Sequence, residues 1–178
     1  YSQFGEDEII EKLLDRIGVK NEWCLEIGAG DGRQLSNTLA YRQKGWSSLL
    51  IEKNPNQIQD LLDNAGENAT VVFGEITDLD SQLLMAEAPL DLDFASIDVD
   101  GQDYWLWHDM EKYRPRIMCI EYSPYIKHAT YDPVNPIGRG CDGQTARQPM
   151  MELAEEKGYQ FMEETFCNLI FIAKEEIK

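Results

Sequence analysis

The sequence predicts a doubly wound α/β domain, a mostly parallel seven-stranded sheet closed by an antiparallel C-terminal hairpin. Apolar runs of strand length alternate with helical stripes along the whole chain. A glycine turn, Gly28-Ala29-Gly30-Asp31-Gly32, directly follows the first apolar run. The last two runs are close enough in sequence to pair antiparallel.

Each element has its own signal. Ile9, Ile10, Leu13, Leu14 and Ile17 form one stripe of an opening helix that stops at Gly18. Trp23 to Ile27 reads as a buried strand. A helix is expected from about Leu35 to Lys44, ended by Gly45, since glycine favours the position just past a helix. Ser48 to Ile51 is the second strand, and Asn54 with Pro55 reads as a cap and first helical position. Ile58, Leu61, Leu62 and Ala65 carry that helix. Ala69 to Phe73 is the third strand, Asp80 to Ala88 a short helix and Leu92 to Asp98 the fourth strand. Tyr104 to Tyr113 reads as helix and Arg116 to Tyr122 as strand. A loop over 123–143, with three prolines, is long enough to carry function. Pro149 to Lys157 is the last helix, and Tyr159 to Glu164 and Asn168 to Ala173 form the hairpin.

At 178 residues the chain reads as a single domain, 1–178, with 1–18 as an N-terminal helix or lid. Tyr1 stands where an initiator Met would, so the sequence is expected to start inside a longer chain. Neither a secretory signal nor an apolar run of about 20 residues occurs, which argues against a membrane role. A net charge of −17 repels phosphate backbones and argues against nucleic acid, while neutral and cationic substrates stay open. The four cysteines form no C-x-x-C pair, and a reducing cytoplasm is expected. Oligomeric state is not legible.

In such a sheet, ligands sit at the carboxyl ends of the strands. The glycine spacing is G-x-G-x-G, and Arg33 falls where a dinucleotide fingerprint has its third glycine. Glu26 and Asp31 flank the turn. A pyrophosphate wants bare amides, whereas a cofactor with an ammonium group wants a carboxylate. S-adenosylmethionine (SAM) fits that pattern better than NAD.

Glu26-Ile27-Gly28-Ala29-Gly30-Asp31-Gly32 resembles the first motif of class I SAM-dependent methyltransferases, with their Rossmann-like fold, and Glu52 resembles their ribose-binding acid. Ser2-Gln3-Phe4-Gly5-Glu6-Asp7, Leu35-Ser36-Asn37-Thr38, Ser96-Ile97-Asp98-Val99-Asp100-Gly101 and Ile120-Glu121-Tyr122-Ser123-Pro124 resemble the FkbM-like branch. The resemblance implies a cofactor set of Glu26, Gly28, Gly30, Asp31, Gly32, Asn37, Glu52, Lys53, Glu75, Ile76 and Asp98. Within it, Glu52 would hold the ribose hydroxyls, Glu26 the ammonium, and Glu75 and Ile76 the adenine. It also implies methyl transfer to a hydroxyl of a small molecule or glycan.

A hydroxyl acceptor must lose its proton or be polarised by a metal. Asp98, Asp100, Glu121 and His128 are the candidate catalytic groups. Asp98 and Glu121 match positions that hold Mg²⁺ in some O-methyltransferases, but Glu121-Tyr122-Ser123 replaces the usual Asp-Asn, which leaves the metal open. Asp100-Gly101 reads equally as a turn, and His108 as a structural histidine. Trp105, Trp107, Tyr122, Tyr125 and Tyr131 offer either core packing or an acceptor surface. Two rival readings stand: a non-catalytic module of the same fold, and an NAD-dependent oxidoreductase.

Overall fold

The computed structural model describes residues 1–76, 78–126 and 145–177. Strands β1 (Trp23–Ile27), β2 (Ser47–Glu52), β3 (Ala69–Phe73), β4 (Phe94–Ile97), β5 (Ile117–Glu121), β6 (Tyr159–Glu164) and β7 (Asn168–Ala173) form one sheet in the order β3-β2-β1-β4-β5-β7-β6. β7 alone runs antiparallel, wedged between β5 and β6. This is a Rossmann-like fold, a mostly parallel doubly wound sheet with an antiparallel C-terminal hairpin.

Helices cover both faces because the central strands are apolar on both sides. Helix α1 (Glu6–Ile17) lays Ile10, Leu13 and Leu14 against Cys24, Phe94, Ile117, Cys119 and Ile170. Leu61 of α3 (Ile58–Asn64) packs on Leu50. The opposite face takes α4 (Leu79–Met85), α5 (Asp103–Asp109) and α6 (Arg147–Glu156), through Leu83, Trp107, Met150 and Leu153. Trp107 is fully buried against Tyr159 and Phe171, so it belongs to the core.

Helices α4 and α5 end short of the expected Ala88 and Tyr113, at Met85 and Asp109, and two others open late. Only Leu39–Arg42 is helical where Leu35 to Lys44 is expected, and we number it α2. Leu35 has φ 58, outside any right-handed helix, and residues 36–38 turn inward. α3 opens at Ile58 because the Asn54 Oδ1 accepts the Asn56 N–H at 3.0 Å, closing a local turn over the expected first helical turn.

The chain runs outward from β1 through β2 to β3, then returns to build β4 and β5 on the other side. The carboxyl ends of β1 and β4 are therefore a switch point, where crossovers leave in opposite directions and a crevice opens.

Candidate cofactor and acceptor site

A cleft of about 300 Å³ lies at that switch point. Its walls are Glu26 to Gly30 after β1, Glu52 and Lys53 after β2, Gly74 to Ile76 after β3, and Asp98 to Asp100 after β4. Gln34, Leu35, Ser36, Gln102 and Leu106 complete it.

The glycine turn is shaped by close approach. Gly28 has φ 81, and a Cβ there would sit 1.7 Å from the Asp98 carbonyl oxygen. Only glycine lets β1 and β4 meet so closely. Gly30, at φ 56, faces open space, and its N–H donates to the Glu52 Oε2 at 2.7 Å. The other Glu52 oxygen accepts the Asn54 N–H at 2.6 Å. Asp31 and Gly32 do not line the cleft. Asp31 Oδ1 accepts from the Arg33 and Gln34 amides at 2.8 and 2.7 Å, and Gly32 packs on Leu61.

The Leu35-Ser36-Asn37-Thr38 segment braces Glu26. The Glu26 carboxylate accepts from Ser36 Oγ at 2.8 Å, Thr38 Oγ1 at 2.6 Å and the Asn37 amide at 2.7 Å. Burial raises its pKa against those hydrogen bonds. Asn37 points away from the cleft wall and donates to Ser96 Oγ at 2.9 Å. Arg42, which periodicity marks only as a helix residue, is buried here. It donates to Thr38 Oγ1, the Gly32 carbonyl and the carbonyls of Asn64 and Ala65. Leu35 projects into the cleft from its left-handed backbone, still 58% exposed. Leu35 carries no sequence signal beyond membership of that four-residue motif, and Arg42 none beyond its place in the expected helix.

Asp98, Asp100 and Glu121 converge at the inner end. Glu121 and Asp98 share a hydrogen bond, and the Asp100 amide donates to Glu121 Oε2 at 3.2 Å. Burial, then the neighbouring acids, pushes Asp98 to about 6 and Glu121 to about 9. Both acids therefore hold protons more tightly than a free carboxylate does, and the hydrogen-bonded pair titrates as a unit. Asp103 stands behind them, accepting the Val99 and Gly101 amides at 2.9 and 3.0 Å, and burial raises it to about 7. Asp100 and Gly101 have φ 55 and 140, as a turn requires.

The remaining expectations divide. Lys53, Glu75 and Ile76 line the outer cleft, where Gln102 Nε2 donates to Glu75 at 3.4 Å. His108 lies on the surface beside Asp109, away from the cleft. His128 and Tyr131 lie outside the described residues. Among the described residues no group of three or more His, Cys, Asp or Glu is arranged to hold a metal ion, so the Mg²⁺ expectation finds no ligand set there. The N-terminal segment docks beside the acids rather than over the cleft. Glu6 accepts from Thr165 Oγ1 at 2.6 Å and Asn168 Nδ2 at 3.2 Å, and Phe4 meets Phe166 at 5.3 Å.

Solved structures share this arrangement of strands and helices. A SAM-dependent methyltransferase from Aquifex aeolicus is 12% identical with a TM-score of 0.53, over 92% of this chain and 89% of that one. The N-terminal domain of EvdMO1, solved with S-adenosylhomocysteine (SAH) bound, is 16% identical with a TM-score of 0.59, over 94% and 80%. A candidate caffeoyl-CoA O-methyltransferase from Staphylococcus aureus reaches a TM-score of 0.67 at 16% identity, over 97% and 85%. At these identities the likeness is one of fold. Compared with protein-family models and with curated proteins, the chain matches none.

Proposed function

We propose that the chain is a SAM-dependent methyltransferase of FkbM-like type, acting on a hydroxyl of a small molecule or glycan. The observation that carries this reading is the cleft itself. It joins a bare glycine turn, a clamped carboxylate at Glu52 and the acids Asp98 and Asp100 within about 300 Å³, at the low end of the range for ligand pockets.

These residues fit SAM. Each Glu52 oxygen accepts one backbone N–H and keeps a second lone pair for a ribose hydroxyl. Ile76, Val99 and Leu106 give an apolar stretch for a base. Asp98 and Asp100 offer negative charge for an ammonium group. Glu26 is already held by three protein donors, so it acts on such a group mainly through its field.

When bound, SAM supplies an electrophilic methyl group. This chain's own task is to orient the acceptor and take its proton. In this reading Asp98 is the proton acceptor, hydrogen-bonded to Glu121. The 123–143 loop is proposed to complete the acceptor pocket. No helix among the described residues is long and apolar enough to cross a membrane. Buried free thiols at Cys24 and Cys119 fit a reducing cytoplasm.

Calorimetry with SAM, SAH and NADH tests this reading. Micromolar binding of the two sulfur ligands with none of NADH is expected. Binding of NADH alone would overturn it.

A further inference from the structure

Arg42 is not among the residues that line the cleft, yet it lies one hydroxyl behind Glu26, which is. It is buried on α2, between the glycine turn and the C-terminal end of α3. A guanidinium has five N–H bonds to place, and here all five find acceptors. Nη1 donates to the Asn64 and Ala65 carbonyls at 3.0 Å each, and Nη2 to the Gly32 carbonyl. The other two reach hydroxyls, Nη2 to Ser36 Oγ at 3.2 Å and Nε to Thr38 Oγ1 at 3.1 Å.

Those same hydroxyls donate to a single Glu26 oxygen, Oε2, at 2.8 and 2.6 Å. A hydroxyl has one proton and two lone pairs. Ser36 Oγ accepts from Arg42 and from the Leu39 amide at 3.1 Å, and neither donor can reverse its role. Its proton is therefore committed to Glu26. Arg42 fills one lone pair of Thr38 Oγ1 in the same way. Burial pulls Glu26 toward its neutral form, and the hydrogen bonds of Thr38 and Ser36, then the Arg42 charge, oppose it. Because Glu26 lines the cleft and Arg42 does not, the pair turns its negative end toward a ligand.

From this relay we propose that Arg42 is a positioning residue for the cofactor's amino group. By fixing Ser36 and Thr38 as donors it presents Glu26 as a carboxylate, whose field acts on an ammonium in the cleft. The inference rests on the methyltransferase reading for the cofactor, and on the Arg42–hydroxyl–Glu26 geometry for the role. An Arg42 that only tied down three carbonyls would leave the amino group unfelt.

SAH and deamino-SAH, the same thioether with its amino group replaced by hydrogen, isolate that contact from the rest of the ligand. We would titrate both by calorimetry into the parent chain, Arg42→Gln and Thr38→Val. The parent is expected to prefer SAH about tenfold, the lower end for an interaction with a charged group. Arg42→Gln should lose most of that preference. Thr38→Val keeps the side chain's shape and all of Arg42, and should lower the preference about threefold, as one lost hydrogen bond implies. It decides the matter if Arg42→Gln does not fold. A preference kept or enlarged in either folded variant, or absent from the parent, would overturn the proposal, as would loss of the fold in both. Equal weakening of the two ligands is a preference kept, and marks a structural role alone. Binding of neither ligand by the parent would sink the methyltransferase reading, and this role with it.

Discussion

Glu52 and Gly30 are joined by a 2.7 Å hydrogen bond from the glycine amide to the carboxylate. The acid proposed to hold a ribose is thus also the clamp on the glycine turn beside it. Glu52→Ala should weaken SAM and SAH binding by roughly 10- to 100-fold, the value of a charge-assisted hydrogen bond. Calorimetry reads this directly, and unchanged affinity would remove Glu52 from the site.

Gly28 and Gly30 should respond differently to the same methyl group. Gly28→Ala drives its Cβ into the Asp98 carbonyl, and should cost at least about 3 kcal/mol or prevent folding. Gly30→Ala meets nothing within 4 Å, so only its left-handed backbone resists, at about 1 kcal/mol. Urea denaturation of the pair checks this order, and equal losses would contradict the close approach of β1 and β4.

Asp98→Asn should leave SAH affinity within a few fold and lower turnover by about 10²- to 10⁴-fold, the usual weight of a general base. The measurement needs an acceptor found by screening. A variant with normal turnover would make Asp98 structural.

The raised acids set a pH dependence of stability. Asp98, Asp103 and Glu121 bind protons more tightly folded than unfolded, at about 6, 7 and 9. Their contribution is complete below the ordinary carboxylate range and is lost as pH rises through those values. The melting temperature should therefore fall between about pH 5 and pH 9, and Glu121→Gln should flatten the upper part. A profile that rises over that window would refute the assignment.

Asp93 is the structural counterpart at the opposite end of the sheet. It is buried, pairs with Arg116, and accepts the Lys20, Asn21 and Glu22 amides. Asp93→Ala should cost about 3–5 kcal/mol by stranding the Arg116 charge, without a specific effect on SAH affinity in the protein that remains folded. A thermal melt beside a binding curve distinguishes the two.

The strands were legible because their apolar runs end at turn residues, and β1, β3, β6 and β7 fall where the sequence puts them. The glycine turn and Glu52 were legible because their chemistry is local. Helix α2 was not, since Leu35 spends its conformation on the turn that lets Ser36 and Thr38 reach Glu26. Arg42 and Glu6 escaped for another reason. Glu6 finds Thr165 across 159 residues, and no local pattern encodes so distant a partner. On its own segment Glu6 reads only as an acid favouring a helix start.

β7 is the last strand made, yet it lies inside the sheet, between β5 and β6. A nascent chain that has not yet delivered it carries β5 as a bare edge and has no Asn168 to steady Glu6. The glycine turn can form early from neighbouring segments, whereas Glu6 waits for the final hairpin to bring it Thr165 and Asn168. During synthesis, then, the cleft would precede the anchoring of the N-terminal segment.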